Sequence, residues 1–204
     1  HDIARTVAEH SSVLLKNDAA TLPLKPGTRV AVIGDMAATA RYQGSGSSKV
    51  NGTKEENILD EVKNAEGLVL AGYEQGYDRQ GKPDEVLLND AVALAKKDTV
   101  DVVLAVVGLD ERSESEGLDR STMAIPQVQN DLVTALAKTG KPVVIVLVAG
   151  SPVELPWFND VAAMLYVGLS GQAGASATVR ALTGEVNPCL LYTSDAADDR
   201  ISVD

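Results

Sequence analysis

The chain has 204 residues, enough to bury a hydrophobic core without disulfides, and its length suits one domain or slightly more. Its formal charge of −11 argues against nucleic acid or an anionic membrane surface as a partner. The single cysteine, Cys189, excludes an internal disulfide, and no apolar run reaches the length of a transmembrane helix.

Predicted strands and helices alternate along the chain. Strands are predicted where apolar residues run continuously, at 13–15, 29–33, 68–73, 102–107, 143–148 and 164–167. Helices are predicted where apolar residues recur at helical spacing, at 1–12, 53–65, 84–95, 126–139 and 174–182. This alternation predicts an α/β fold, a three-layer αβα sandwich with a mostly parallel central sheet.

Local signals mark where several of these helices begin and end. Thr53 followed by Glu56 resembles a capping box, and Asp84 is a candidate cap for the next helix. Pro126 suits the first turn of a helix, and Gly184 suits a helix stop.

A glycine- and serine-rich loop spans residues 44–48, with the sequence Gly-Ser-Gly-Ser-Ser. A phosphate cradle would need its glycines directly between a strand and a helix, but this loop lies well beyond Gly34, where the preceding strand ends. A flexible loop is therefore the favoured interpretation over nucleotide binding.

The acidic stretch 108–120 follows the most strand-like run of the chain, residues 101–107. In a parallel sheet such a segment lies at the carboxyl edge, where ligands bind. It carries five acidic residues, Asp110, Glu111, Glu114, Glu116 and Asp119. Crowded carboxylates repel one another, so one of them can have a raised pKa and act as a proton donor. The alternative is a solvated acidic loop.

The strand 101–107, Glu-Gly-Leu-Asp-Arg at 116–120 and Ile-Pro-Gln-Val-Gln at 125–129 resemble the second domain of glycoside hydrolase family 3. Further segments that recur in that family, in the same order, are 12–17, 22–24, 30–34, 44–48, 171–172 and 184–188. Each motif is weak alone, but their order and spacing are specific, and together they cover nearly all of residues 1–188.

The resemblance implies a division of the chain into three parts. Residues 1–12 match the helix that leads out of the linker from an upstream (β/α)8 barrel, which is absent from this sequence. Residues 13–188 match the α/β sandwich domain. Residues 189–204 depart from the family pattern and are interpreted as a non-native tail, translated adapter read-through, with a genuine divergent terminus as the alternative.

Family 3 enzymes are retaining, exo-acting β-glycosidases, so the resemblance implies a β-linked glucoside or xyloside as substrate. Their nucleophile is an aspartate on the barrel, and many members take the acid/base from the second domain. Glu116 occupies the matching position, and Glu114 is the fallback. Repulsion from Glu114 is expected to raise the pKa of Glu116. A chain without the barrel is expected to be inactive.

The remaining predictions concern the surroundings of Glu116. Ser47 and Ser48 are predicted to approach sugar hydroxyls, and Asp119 and Arg120 to form an ion pair that shapes the loop. No cofactor is implied, and the sequence has no metal-ligand cluster of histidine and cysteine. Aromatic residues, at 3%, are few for a complete sugar site, so most of the stacking platform must come from elsewhere.

Two other functions fit the predicted fold. A flavodoxin-like small-molecule binding module would use Gly34-Asp35 and Gly108-Leu109-Asp110 at a topological switch point. Against it, no phosphate-binding fingerprint is present. A purely structural partner domain would leave the acid/base to the barrel. Sugar specificity, oligomeric state and compartment stay open at this stage.

Overall fold

The computed structural model describes residues 1–188 and the backbone of 190–191. Seven strands of this described part form one sheet, namely β1 (Val13–Asn17), β2 (Thr28–Ile33), β3 (Leu68–Glu74), β4 (Val102–Gly108), β5 (Val143–Val148), β6 (Ala163–Tyr166) and β7 (Leu190–Leu191). Their order across the sheet is β3-β2-β4-β5-β6-β1-β7. Neighbours from β3 to β6 are parallel, whereas β1 runs antiparallel to β6 and parallel to β7.

Helices cover both faces of the sheet. The α-helices within the described residues are α1 (Asp2–Ser11), α2 (Asp35–Ala38), α3 (Ile58–Asn64), α4 (Glu85–Ala95), α5 (Gln127–Ala137) and α6 (Gly174–Thr183). α4 and α5 pack into one hydrophobic core, and α2, α3 and α6 pack into the other. α1 lies against α6. The predicted sandwich with a mostly parallel sheet is confirmed.

The continuous apolar runs form the centre of the sheet. Every residue of β4 and β5 is buried. Along β4 the side chains alternate between the two cores, with Val103 and Ala105 on one side and Leu104 and Val106 on the other. A strand that is covered on both faces needs apolar residues at every position, which explains the missing polar alternation.

Helix α3 begins differently from the prediction. Asn57 caps it, because its side-chain oxygen accepts a hydrogen bond from the Asp60 amide at 2.8 Å. The capping box predicted from Thr53 and Glu56 is wrong. The Glu56 carboxylate instead accepts from the Ser176 amide at 3.0 Å, in the first turn of α6. A carboxylate at the positive end of that helix is favourable, so a long-range partner replaces the local one.

Other predicted helix signals are confirmed. The Asp84 side chain accepts hydrogen bonds from the first-turn amides of α4. Gly184 ends α6 in the left-handed conformation, at φ 78°. Within the described residues, none of the helices combines the length and apolar character that crossing a membrane requires.

The predicted non-native segment 189–204 lies almost entirely outside the described residues. Its described part is the backbone of Leu190–Leu191, which pairs with Val13 and Leu14 of β1. Whether the segment is native stays a prediction.

Candidate active site

The acidic loop leaves the carboxyl end of β4, at the centre of the sheet. Two bonds fix its first residues: the Gly108 amide donates to Gln129 Oε1 at 2.7 Å, and the Leu109 amide donates to Val148 O at 2.9 Å. Gly108 has φ 156°, and a Cβ there would stand 1.7 Å from Val148 O. Only glycine lets the two strands approach this closely before the loop turns away.

The glycine- and serine-rich loop lies directly against the acidic loop. Ser45 and Ser115 form a parallel bridge, and the Glu116 amide donates to Ser45 O at 3.2 Å. The Ser45 hydroxyl donates to Glu111 O at 2.6 Å. Residues that are far apart in the sequence are therefore joined at the carboxyl edge, and Ser47 comes within reach of Glu116.

Glu116 is exposed, and within the described residues both hydrogen bonds to its carboxylate come from Ser47, with a weaker effect of the Ser48 amide on its pKa. Oε2 accepts hydrogen bonds from the Ser47 hydroxyl and from the Ser47 amide, the latter at 3.0 Å. The Ser47 hydroxyl, then the Ser47 amide, hold the pKa of Glu116 below its ordinary value, because both favour the ionised form. The expected raised pKa is therefore wrong for this state of the loop.

Glu114 does not raise the pKa of Glu116, because the neighbouring loop holds its carboxylate. It accepts hydrogen bonds from the Gly150 amide at 2.9 Å and from the Ser151 hydroxyl at 2.5 Å. The buried guanidinium of Arg41 lies 3.9 Å from Glu114 Oε2. The Glu114 side chain is only 11% exposed. These contacts give Glu114 a structural role that ties the loop after β4 to the loop after β5.

The predicted ion pair between Asp119 and Arg120 is wrong, since the described residues contain no salt bridge between the two. Arg120 Nη2 donates to the Ser151 hydroxyl at 2.9 Å and to Pro152 O at 3.0 Å. Asp119 is exposed. Fixed acceptors on the next loop outcompete a solvated carboxylate, so Arg120 shapes the loop through Ser151 rather than through Asp119.

Arg79 bridges the crevice between the carboxyl ends of β2 and β4. Its guanidinium donates to Asp35 at 2.7 Å and to Glu111 at 2.6 Å. Burial acts to raise the pKa of Glu111, but the bonds and charge of Arg79 outweigh it and lower that pKa. This crevice is the switch point at which a flavodoxin-like module would bind its ligand. Here two ion pairs span it, which argues against that function.

Part of the acidic loop lines an open bowl of about 870 Å³. It is lined by Ser113, Glu114, Leu118, Asp119, Arg120, Ser121, Thr122, Met123, Ser151 and Glu154. The side chains of Leu118 and Met123 are 64% and 49% exposed. The bowl therefore offers both polar groups and apolar surface to a ligand, and residues on both sides of Glu116 in the sequence line it, although Glu116 does not.

Several contributors to this site escaped the sequence analysis. Arg41, Arg79 and Ser151 are reached only through long-range contacts, and no local pattern marks them. In the described part of the chain, histidine, cysteine, aspartate and glutamate nowhere form a group of three or more that could hold a metal ion.

Comparison with known proteins gives a consistent result. The family model described as "Glycosyl hydrolase family 3 C-terminal domain" matches residues 12–197. The chain is 44% identical over 190 residues to the thermostable beta-glucosidase B of Acetivibrio thermocellus, covering 92% of this chain and 25% of that protein. It is 39% identical over 200 residues to an exo-alpha-(1->6)-L-arabinopyranosidase of Bifidobacterium longum, covering 92% of this chain and 26% of that protein.

Solved structures agree with the sequence matches. The crystal structure of a GH3 beta-glucosidase of Bifidobacterium adolescentis superposes with a TM-score of 0.84 at 39% identity, over 92% of this chain and 27% of that one. The chain thus spans about a quarter of the length of each of these three proteins.

Proposed function

The chain belongs to glycosyl hydrolase family 3, and from that premise we propose that it supplies the general acid/base of a retaining β-glycosidase through Glu116. The observation that carries the proposal is the setting of this carboxylate. Glu116 stands exposed on the loop after β4 at the carboxyl edge, in the Glu-Gly-Leu-Asp-Arg string that resembles the family pattern. Glu114, the fallback candidate, is engaged by Gly150 and Ser151 instead.

Retaining hydrolysis needs two carboxyl groups, one on each side of the scissile bond. In the first step the acid protonates the leaving oxygen while the nucleophile attacks the anomeric carbon. In the second step the same group, now a carboxylate, removes a proton from the attacking water. We assign this second group to Glu116, and we assign the nucleophile to a (β/α)8 barrel that the resemblance places upstream of residues 1–12. The chain alone is therefore proposed to be inactive.

The lowered pKa of Glu116 bears on the two steps differently. Hydrogen bonds from Ser47 favour the carboxylate, which is the form that the second step needs. The first step needs the protonated form near neutral pH, so the environment of Glu116 has to change when substrate and barrel enclose it. Removal of water from around the carboxyl group would raise its pKa and so favour the protonated form.

A β-linked glucoside or xyloside is the proposed substrate, with the leaving group in the bowl beside the acidic loop. The relatives include proteins named beta-glucosidase and one named probable beta-D-xylosidase. Leu118 and Met123 offer apolar contact to such a leaving group. Ser48, and Ser47 once it releases Glu116, are proposed to bond sugar hydroxyls.

A chimera tests the assignment of Glu116. Residues 12–188 replace the matching segment of the thermostable beta-glucosidase B, and Glu116→Gln is compared with Glu114→Gln in that background. Loss of general acid/base catalysis in Glu116→Gln should lower kcat by about 10²–10⁴-fold on a glucoside with a poor leaving group. A dinitrophenyl leaving group needs no protonation, and azide needs no base, so together they should restore turnover.

The alternative is a purely structural partner domain whose barrel carries the acid/base. It predicts that Glu116→Gln turns over the poor substrate at the rate of the unmodified chimera. If Glu114→Gln lowers kcat strongly and azide restores it, while the kcat of Glu116→Gln is unchanged, the acid/base is Glu114 instead.

A further inference from the structure

Within the described residues, Ser47 makes both hydrogen bonds to the Glu116 carboxylate, and the nearby Ser48 amide adds a weaker effect that lowers the pKa of Glu116. The hydroxyl and the amide of Ser47 both donate to the same oxygen, Oε2. The other charged groups on the two adjoining loops are Asp110, Glu111, Arg112, Glu114, Asp119 and Arg120 on its own loop and Arg41 and Lys49 on the facing loop. In the described part of the chain none of these groups forms a hydrogen bond or a salt bridge with Glu116.

The facing loop can approach Glu116 this closely because residue 46 has no side chain. Gly46 has φ 97°, and a Cβ built there would stand 2.8 Å from the Glu116 Cβ. The bridge between Ser45 and Ser115 fixes the same two segments on the other side of Gly46. The contact between Ser47 and Glu116 therefore rests on the backbone of both loops and not on two side chains alone.

We propose that Ser47 is a positioning residue for Glu116: it holds the carboxylate against the glycine- and serine-rich loop, and substrate takes over the hydroxyl of Ser47 when Glu116 acts. This inference rests on the proposed acid/base role. The carboxylate that Ser47 holds is the product of proton donation and also the base for the second step. Ser47 thus stabilises the form of Glu116 that links the two steps.

The two donors of Ser47 differ in what they can bind. An amide N–H only donates, so it favours a charged acceptor over a neutral carboxyl group. A hydroxyl can donate to the carboxylate and can also accept from the protonated acid. Removing the hydroxyl should therefore weaken the preference of Glu116 for its ionised form. The preference should not disappear, because the Ser47 amide still donates to the carboxylate.

The direct test is a carboxyl-carbon NMR titration of Glu116 in the 204-residue chain, for the wild type, Ser47→Ala, Ser47→Thr and Ser48→Ala. The titration midpoint of Glu116 should move upward in Ser47→Ala and return toward the wild-type position in Ser47→Thr, which keeps the hydroxyl. Ser48→Ala is the matched control because it removes a neighbouring hydroxyl and keeps its amide. An unmoved midpoint in Ser47→Ala, or equal shifts in both alanine variants, would overturn the proposal.

A second measurement separates this inference from the acid/base assignment. In the chimera, the alkaline limb of kcat/KM against pH, where the acid loses its proton, should move to higher pH in Ser47→Ala. It should stay in place in Thr53→Ala, which removes an exposed hydroxyl outside the proposed site. If Glu116→Gln abolishes activity while Ser47→Ala leaves the limb unmoved, Ser47 does not position the acid. If Glu116→Gln is fully active, the acid/base role fails, and the NMR shift alone still reports whether Ser47 holds the carboxylate.

Discussion

The carboxyl edge of the sheet contains two acidic regions that differ in how their charges are paired. In the crevice between β2 and β4, Arg79 bonds to both Asp35 and Glu111. On the loop after β4, Glu116 stands exposed, and its carboxylate accepts hydrogen bonds from Ser47 of the glycine- and serine-rich loop. Both regions follow buried parallel strands, and both are places where topology alone predicts a ligand.

The difference shows how one loop separates structural from reactive carboxylates. The carboxylate of Glu111 bonds to the guanidinium of Arg79. The carboxylate of Glu114 accepts hydrogen bonds from the Gly150 amide and the Ser151 hydroxyl, so both carboxylates already have partners within the fold. Glu116 accepts hydrogen bonds from the hydroxyl and the amide of Ser47 on the facing loop, and we propose that substrate replaces the hydroxyl. Pairing, more than position in the sequence, therefore decides which acid is accessible.

Removing the bridge in the crevice should have the largest effect on stability. In Arg79→Met the carboxylate of Asp35, which is 18% exposed, loses its guanidinium partner. Breaking a fully buried pair costs about 3–5 kcal/mol, and partial exposure reduces this to an expected loss of about 2 kcal/mol in the free energy of unfolding. Urea denaturation of the chain at pH 7 measures it.

Arg112→Met is the matched control, because Arg112 is an exposed arginine on the same acidic loop. It should leave the urea midpoint close to that of the wild type. Equal losses in the two variants would mean that net charge, rather than the bridge across the crevice, accounts for the effect.

The core of the fold was predictable because its signals are local. The continuous apolar runs of β4 and β5 place those strands inside the sheet, and Asp84 caps α4 through amides two and three residues away. The antiparallel direction of β1 was not predictable, because β1 pairs with β6, which lies far along the chain. Val13 pairs with Tyr166 and Asn17 with Ala163, and no local sequence pattern sets that direction.

The site was predictable in outline but not in its contacts. The expectation that the glycine- and serine-rich loop lies near Glu116 agrees with the bridge from Ser45 to Ser115. The errors came from pairing sequence neighbours, Asp119 with Arg120 and Glu114 with Glu116. Glu114, Glu116 and Arg120 instead bond to residues of other loops that are distant in the sequence.

Glu114→Gln sharpens the distinction between the two glutamates within one loop. The substitution removes the charge that accepts from Gly150 and Ser151 and turns one acceptor into a donor. Since hydrogen bonds to charged groups contribute about 1.5–3 kcal/mol and this side chain is largely buried, the free energy of unfolding should fall by about 1–2 kcal/mol. Thermal or urea denaturation measures the loss.

Glu116→Gln is the control, and its denaturation midpoint should stay at the wild-type position because its carboxylate is exposed. The opposite ranking, with Glu116→Gln the less stable variant, would mean that Glu116 is the structural glutamate and Glu114 the accessible one.

The smallest expected effect lies at the opposite, amino-terminal margin of the sheet, where Arg29 and Asp101 form a partly exposed pair. The amide, Nε and Nη2 of Arg29 all donate to Asp101, at 2.5–2.9 Å. The side-chain bonds and then the amide bond lower the pKa of Asp101 to about 2. Because the pKa is lower in the folded than in the unfolded chain, the pair stabilises the fold above the unfolded value, roughly 3.9.

That contribution is lost as the pH falls from about 4 through about 2. Asp101→Asn should therefore be slightly less stable than the wild type at pH 7, and the difference should shrink over this window. Asp90→Asn, at an exposed position on α4, controls for the loss of one charge. Denaturation midpoints measured from pH 7 to pH 2 test this expectation. A difference in midpoint between Asp101→Asn and the wild type that stayed constant over this range would contradict it. A partly exposed pair of this kind should affect stability weakly, whereas loss of the Arg79 bridge should cost more at pH 7. That contrast separates a surface contact from one that closes a crevice.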